Sequence, residues 1–204
     1  MFNDLKRLLR LASYQPLNVI EISQKNLVSN YRYLSSINKE IKIAPVLKSN
    51  AYGHGLILVA KTLEGCADWH VPFFCVDSLY EAYELHKIHI KTPILIMGYI
   101  QPDNLKVKKL PFTYAVSTLD MAGAIAKYQP HAGVHIFVDT GMNREGVPLE
   151  ELSQFLENLP KNLKIEGLMS HLASVDDQRD QLTKKQANNF SHVRKIVRKS
   201  GIHP

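Results

Sequence analysis

The sequence of 204 residues contains no apolar run that approaches the roughly 20 residues needed for a transmembrane helix. It has two cysteines, Cys66 and Cys75, and no C-x-x-C spacing of the kind that binds metal. Residues 1–17 are basic and amphipathic, and they lack the continuous apolar core and the cleavage site of a signal peptide. We therefore expect a cytoplasmic protein with no membrane partner and no metal, in which both cysteines are small buried residues.

Positive charge is in excess but is not concentrated, since 25 basic and 19 acidic side chains give a formal net charge of +6. Short basic runs occur at residues 106–109 and 194–199. No aromatic residues alternate with them to form a stacking platform for bases. Solvated helix faces therefore explain these runs better than nucleic-acid binding does. The net charge is also compatible with an anionic small ligand.

Strand-like and helix-like segments alternate along the chain. An apolar segment at 18–22 predicts an opening strand, and Ser23 is a candidate N-cap for the helix predicted at 23–38. Further strands are predicted at 41–47, 72–76, 93–97, 112–116, 134–138 and 164–169. Helices are predicted at 55–65, 78–88, 118–128, 149–159 and 178–199, with a weak one at 103–110.

This alternation indicates repeated right-handed βαβ units, so the predicted fold class is α/β with a parallel sheet. Two architectures use the pattern, an open doubly wound sheet and an eight-stranded barrel of the TIM type. Six parallel strands suit an open sheet but leave a barrel incomplete, since barrels usually need about 250 residues. Gly201 is a candidate C-cap, and the final I-H-P follows it where a seventh strand is expected to start.

The stretch VLKSNAYGHG, residues 46–55, places a lysine at the end of a buried-looking strand. Partial desolvation there favours the neutral amine of Lys48, which can bond an aldehyde. Backbone N–H groups and the Tyr52 hydroxyl are available to an anion such as a phosphate in the tight loop formed by Asn50, Gly53 and Gly55. The alternative is a lysine that extends into solvent beside a glycine turn, and composition alone favours that alternative.

A second polar loop follows the strand predicted at 134–138, in the stretch FVDTGMNREGV at 137–147. Arg144 on this glycine-flanked loop can present a planar fork to a carboxylate or a phenolate. The alternative is a polar turn in which Asp139 caps the backbone, and it is about equally favoured.

The third candidate is His171, in the stretch GLMSHLASVDD at 167–177. A ring at a strand end can stack on a planar cofactor or titrate. A lone histidine in this position is more often structural. However, three such strand ends in one α/β chain converge on one face of the fold, which favours a functional site there.

These three stretches resemble the signatures of the alanine racemase family. VLKSNAYGHG resembles the family's cofactor-lysine motif, and DTGMNREG and SHLASVDD are similar to its next two motifs, in the same order. The opening NVIEISQKNLVSNYRYL also resembles the family's start, so the resemblance covers nearly the whole chain. It implies an eight-stranded barrel followed by a mostly β domain, a head-to-tail homodimer and pyridoxal 5′-phosphate as cofactor. Residues 1–204 would then be the N-terminal part of the barrel domain, with about six of its eight strands.

The resemblance also implies a role for each candidate residue. Lys48 would bond the cofactor aldehyde and serve as one of two acid–base catalysts. Tyr52 would lie near the cofactor phosphate and His171 against the pyridine ring. Arg144 would contact the phenolic oxygen of the cofactor and hold the substrate carboxylate. The implied activity is the interconversion of L-alanine and D-alanine, which supplies D-alanine for cell-wall peptidoglycan.

The sequence departs from the family pattern in two ways. The family often has a lysine that can be carbamylated two residues before the DTGM aspartate, and this chain has Phe137 there, so another group must orient Arg144. The chain also stops before the rest of the phosphate site, the arginine that pairs with the pyridine nitrogen, and the β domain that supplies a catalytic tyrosine to the other subunit. We therefore expect the chain to be inactive alone.

Two other interpretations stay open. One is a single-domain protein that binds pyridoxal phosphate for cofactor homeostasis, although such a protein needs a full barrel and its own phosphate loop. The other is a non-catalytic remnant that keeps the motifs. Within the racemase interpretation, alanine is the default substrate, and serine is the alternative.

Overall fold

The computed structural model describes residues 17–66, 70–107, 109–177 and 179–203, so nearly all of the basic segment predicted at 1–17 lies outside the described residues. The α-helices are α1 Gln24–Ile37, α2 Leu56–Glu64, α3 Leu79–Lys87, α4 Leu119–Tyr128, α5 Leu152–Asn158 and α6 Leu182–Lys199. The strands are β1 Phe74–Val76, β2 Ile94–Ile96, β3 Thr113–Val116, β4 Gly133–Phe137 and β5 Lys164–Met169. Two short 3-10 helices span Pro102–Leu105 and Leu149–Glu151.

The five strands form one parallel sheet whose spatial order, β1-β2-β3-β4-β5, is the order along the chain. A doubly wound sheet reverses its strand order at a switch point, whereas a barrel adds strands in sequence. The sheet is therefore part of an α/β barrel, which confirms the barrel and excludes the open doubly wound alternative.

The strand predicted at 41–47 is reduced to a bridge at the edge of this sheet. Val46 pairs in parallel with Cys75, with hydrogen bonds from Leu47 N to Cys75 O at 2.7 Å and from Cys75 N to Pro45 O at 2.9 Å. Pro45 has no N–H to donate, which shortens the ladder. The segment still occupies the strand position next to β1, so it carries the residue after it to the same rim as the other strand ends.

The opening strand predicted at 18–22 is wrong. These residues form no strand, and Val19 and Ile20 are 65% and 80% exposed. Apolar residues form a strand only where a neighbouring strand can pair with them. Ser23 does cap α1 as predicted, since its hydroxyl accepts from Asn26 N at 3.3 Å.

The remaining elements follow the predicted order with shifted ends. The weak helix predicted at 103–110 is only the 3-10 turn at Pro102–Leu105, and the segment predicted at 149–159 divides into a 3-10 turn and α5. α6 begins at Leu182 rather than at 178, a residue outside the described ranges. Gly201 ends α6 with φ at +75°, as the predicted C-cap requires.

The core lies between the sheet and its covering helices. Its largest fully buried side chains include Phe74, Leu85, Ile96, Tyr114, Ile125, Ile136 and Leu152. Both cysteines are buried and free, as predicted, and burial raises the pKa of the Cys75 thiol to about 11. No helix within the described part of the chain combines the length and the apolar character that a membrane crossing requires.

Candidate active site

The three predicted site loops lie on one rim of the sheet, because parallel strands place their carboxyl ends at the same edge. Lys48 follows the Val46 bridge, Arg144 follows β4, and His171 follows β5. Lys48 and Tyr52 share one loop, and the loops of Arg144 and His171 are neighbours. Strands β1, β2 and β3 lie between these two groups, so the rim has two separate clusters that face a common end of the barrel.

Residues Lys48–Tyr52, which we call the lysine turn, form a single left-handed helical turn. Ser49, Asn50, Ala51 and Tyr52 all have φ between 53° and 56°. Left-handed backbone costs about 1–2 kcal/mol for each non-glycine residue, and such residues normally occur singly. Four in succession therefore indicate a conformation that surrounding contacts impose and that a local sequence preference does not explain.

Contacts with the next two helices hold the lysine turn. The Asn50 side-chain oxygen accepts from Leu56 N, the first residue of α2, at 2.8 Å. The Asn50 backbone N–H donates to the carboxylate of Glu81 on α3 at 3.2 Å. Ala51 is buried against the core, and its N–H donates to Leu47 O at 2.8 Å. The turn is thus fixed at its backbone while the Lys48 side chain stays outside these hydrogen bonds.

The backbone N–H groups of this loop are not available to an anion as predicted, because the loop itself uses them. Gly53 N donates to Ser49 O and Asn50 O, and Gly55 N donates to Asn50 O at 2.9 Å. With the Asn50 N–H on Glu81, the N–H groups of Asn50, Gly53 and Gly55 are all engaged, and the Tyr52 hydroxyl remains available. Tyr52 is 62% exposed at the rim.

The Lys48 side chain is partly buried, which agrees with a lysine at a strand end. Among the residues that the structure describes, no carboxylate forms an ion pair with its amine. A ligand that reacts with an amine therefore has no carboxylate to displace from Lys48.

The Arg144 loop is built around Asp139, and here the predicted structural role of Asp139 is confirmed. One carboxylate oxygen of Asp139 accepts from the backbone N–H groups of Gly141, Met142 and Asn143 at 2.8–3.2 Å. Gly146 closes the loop with φ at +117°, and a Cβ there would meet Asp139 N at 2.5 Å. The loop that presents Arg144 is therefore a compact, glycine-dependent turn.

Glu145 is the carboxylate that contacts Arg144. Its Oε1 accepts from the Arg144 guanidinium at 3.0 Å, and both side chains are 47% exposed. Phe137, which stands where the family often has a lysine, is 6% exposed at the end of β4. An exposed pair such as Arg144–Glu145 holds its geometry weakly, so a carboxylate ligand can replace Glu145 at low cost.

Two amide side chains on α6 join the Arg144 and His171 loops. Gln186 is fully buried, and its Nε2 donates to His171 O at 2.8 Å and to the Thr140 hydroxyl at 3.3 Å. Its Oε1 accepts from Ala173 N at 2.9 Å, and Asn189 Nδ2 donates to Thr140 O at 2.8 Å. The two loops therefore form one hydrogen-bonded unit, at whose edge the His171 side chain is exposed.

Glu81 and Gln186 are the residues that the sequence analysis missed. Glu81 carried a visible signal, since Ser78 and Glu81 have the S-x-x-E spacing of a capping box, which the structure forms. That spacing predicts the start of α3 but not the contact with Asn50. Gln186 carried only the weak signal of a polar residue at a helix position that faces the core.

A sequentially ordered parallel sheet with its chemically distinctive loops on the carboxyl rim defines a protein of the α/β-barrel class with a candidate site at that rim. Comparison with known families narrows the class. The model for "Alanine racemase, N-terminal domain" matches residues 22–204, and the chain belongs to this family.

Curated relatives agree with this assignment. An alanine racemase of Carboxydothermus hydrogenoformans is 35% identical over 192 residues, which covers 89% of this chain and 50% of that protein. One of Citrifermentans bemidjiense is 34% identical over 199 residues, which covers 91% of this chain and 52% of that protein. The chain therefore spans about half the length of the curated relatives it matches.

Solved structures agree as well. Alanine racemase of Bacillus anthracis with bound L-Ala-P superposes with a TM-score of 0.83 at 27% identity, over 95% of this chain and 51% of that one. Alanine racemase of Clostridium difficile 630 in complex with cycloserine superposes with a TM-score of 0.77 at 30% identity, over 88% of this chain and 50% of that one.

Proposed function

We propose that residues 1–204 form the N-terminal part of a barrel domain that binds pyridoxal 5′-phosphate and carry the lysine-bearing half of an alanine racemase site. The proposed reaction is the interconversion of L-alanine and D-alanine in the cytoplasm, for the supply of D-alanine to peptidoglycan. The observation that supports it most is the position of Lys48, at the start of a left-handed turn on the carboxyl rim of the sheet. Family membership supports the same proposal.

The residues at the rim suit pyridoxal phosphate by their chemistry. An aldehyde needs a primary amine that no acid already pairs, and Lys48 offers one. The exposed Tyr52 hydroxyl, four residues along the same turn, can donate to the phosphate. The exposed ring of His171 offers a flat face on the opposite side of the rim. When bound, the cofactor draws electron density from the substrate Cα–H bond, so that its proton becomes removable.

The residues of this chain would then divide the work between the two clusters. The Lys48 amine, freed from the aldehyde when the substrate amino group takes its place, would remove or return the proton at the substrate Cα on one face. Arg144 orients the substrate by a two-pronged contact with its carboxylate, after the substrate displaces Glu145 from the guanidinium. The hydrogen bonds of Gln186 keep the Arg144 and His171 loops in a fixed relation while this exchange occurs.

We further propose that racemisation needs a second acid–base group from outside residues 1–204, because two faces of Cα require two such groups and we assign only Lys48 to this role among the described residues of the rim. A second copy of the protein, in a homodimer, is the proposed source of the other group. The relatives solved with L-Ala-P and with cycloserine support the proposal that the rim accepts small ligands of this kind.

Retention of the cofactor tests the proposal. The chain is loaded with pyridoxal phosphate, dialysed, and its bound phosphate ester is measured against Lys48→Ala and against Lys42→Ala, a control at an exposed lysine at the other end of the same segment. We expect the wild type and Lys42→Ala to retain the cofactor and Lys48→Ala to lose it. Equal retention by all three proteins would contradict the proposed role of Lys48.

A further inference from the structure

Glu81 makes a contact that its position at the start of α3 does not explain. As the third residue of the helix, it closes a capping box with Ser78, and its Oε2 accepts from Asp77 N at 3.0 Å and from Ser78 N at 3.4 Å. Its other oxygen points away from the helix and accepts from Asn50 N, 31 residues earlier in the chain, at 3.2 Å. The residue is 9% exposed, so this carboxylate is buried for a reason beyond capping.

The Asn50 N–H depends on Glu81 because the lysine turn offers it no acceptor of its own. The N–H groups that follow it are satisfied locally, since Ala51 N donates to Leu47 O and Gly53 N donates to Ser49 O. Asn50 sits one residue beyond Ser49, and its left-handed conformation directs its N–H towards α3. Removal of the acceptor would leave a partly buried donor unsatisfied inside a strained backbone.

We propose that Glu81 is a positioning residue that sets the place and direction of the Lys48 amine by holding the lysine turn in its left-handed form. The inference rests on the proposed function, in which that amine is the reactive group. Glu81 fixes Asn50 from the α3 side, and the Asn50 side chain fixes it to Leu56 from the α2 side. Lys48, at the beginning of the turn, is held by neither contact directly and moves when the turn does.

The chemistry of the position requires a carboxylate. Three N–H groups, those of Asn50, Asp77 and Ser78, donate to its two oxygens. A glutamine has one acceptor oxygen and two N–H donors, so it can satisfy either the lysine turn or the start of α3, but not both. Glu81→Gln therefore keeps the size of the side chain and removes the link between the two elements.

The test compares Glu81→Gln with Ser78→Ala, which removes the hydroxyl cap of α3 and leaves the contact between Glu81 and Asn50 in place. Hydrogen exchange at the Asn50 amide, measured without cofactor, reports on the turn. We expect Glu81→Gln to speed this exchange by about tenfold, the loss of one hydrogen bond to a charged acceptor, relative to core amides of the same protein. Ser78→Ala should leave that ratio unchanged.

The position of the amine is measured in the same proteins as the acetylation rate of Lys48 by acetic anhydride, divided by the rate at the exposed Lys42. A role confined to α3 predicts that both variants leave this ratio unchanged. We expect Glu81→Gln to change it by at least about threefold and Ser78→Ala to leave it as in the wild type. Equal effects of the two variants, or a faster exchange at Asn50 with no change at Lys48, would overturn the inference.

Two further arrangements keep the outcomes separable. Glu81→Asp retains the charge on a side chain one methylene shorter, which cannot reach both elements, and it replaces Glu81→Gln if that protein does not fold. Neither readout needs the cofactor. A failure of Lys48 to retain pyridoxal phosphate would therefore contradict the proposed function, while the exchange and acetylation ratios would still decide the role of Glu81.

Discussion

The buried side-chain amide of Gln186 donates a hydrogen bond of 2.8 Å to the backbone carbonyl of His171. The same side chain bonds Thr140 and Ala173, so one residue of α6 joins the loops that follow β4 and β5. The Arg144 and His171 loops thus owe their relative position to a helix that contributes no predicted site residue.

Replacement of Gln186 by leucine should therefore destabilise the protein. It leaves the Ala173 N–H and the His171 carbonyl without their partner in a partly buried setting, at a cost of about 2 kcal/mol. Urea unfolding followed by circular dichroism measures the loss. Gln154→Leu, at an exposed position of α5, is the matched control and should change the free energy of unfolding by less than about 0.5 kcal/mol. Equal stability of both variants would show that the Gln186 network does not hold the loops.

Gly146→Ala should also be costly, because φ is +117° and a Cβ would lie 2.5 Å from Asp139 N and 2.7 Å from the Val138 carbonyl carbon. We expect a loss of at least about 2 kcal/mol. Gly123→Ala in α4 is the control, since a Cβ there meets nothing within 4 Å and alanine favours helix by about 0.5–1 kcal/mol. In thermal unfolding, Gly146→Ala should have a lower Tm than the wild type, and Gly123→Ala should have a higher one. Tolerance of alanine at position 146 would contradict the close approach to Asp139.

Tyr114 and Tyr31 should respond in opposite ways to loss of their hydroxyl groups. The Tyr114 hydroxyl is fully buried and has no hydrogen-bond partner within the described part of the chain, so Tyr114→Phe should be neutral or stabilising by up to about 1 kcal/mol. The Tyr31 hydroxyl donates to Ile43 O at 3.1 Å, so Tyr31→Phe should cost about 1 kcal/mol. Chemical denaturation of the two variants measures both changes in the free energy of unfolding. A large loss in Tyr114→Phe would mean that its hydroxyl has a partner.

His135 should make stability depend on pH. Burial lowers the pKa of His135 below its ordinary value of 6.5, and the nearby Glu166 carboxylate opposes this shift in part. A histidine whose pKa is lower in the folded state binds fewer protons there than in the unfolded state. Its contribution to the free energy of unfolding is therefore complete above pH 6.5 and declines as the pH falls towards the folded pKa. His135→Gln should flatten this part of the curve of unfolding free energy against pH. An unchanged curve in His135→Gln would contradict the assignment.

The sequence predicted the strands best where each strand pairs with a neighbouring strand of the sheet. The segment predicted at 164–169 is β5 without change, and that at 134–138 is β4 displaced by one residue. The same apolar pattern at 18–22 and 41–47 gave no regular strand, because pairing partners and the missing N–H of Pro45 decide there. The apolar pattern indicates that a segment can form a strand, and the presence of a pairing strand determines whether it does.

The candidate site was predictable as a set of loops but not as a structure. Motifs located Lys48, Arg144 and His171 on strand ends, and the parallel sheet places those ends on one rim. The left-handed form of the lysine turn was not predictable, since serine, alanine and tyrosine rarely adopt it and a residue 31 positions away holds it. The link from Gln186 to Thr140 likewise spans 46 positions and leaves no local pattern.

The most direct test of the proposed role of Lys48 is a borohydride trap. The purified chain is mixed with pyridoxal phosphate, reduced and digested, and the modified peptides are identified by mass spectrometry. We predict one pyridoxyl group per chain on Lys48, absent from Lys48→Ala. Labels scattered over surface lysines, with no preference for Lys48, would contradict the claim that this rim presents a reactive amine to the cofactor.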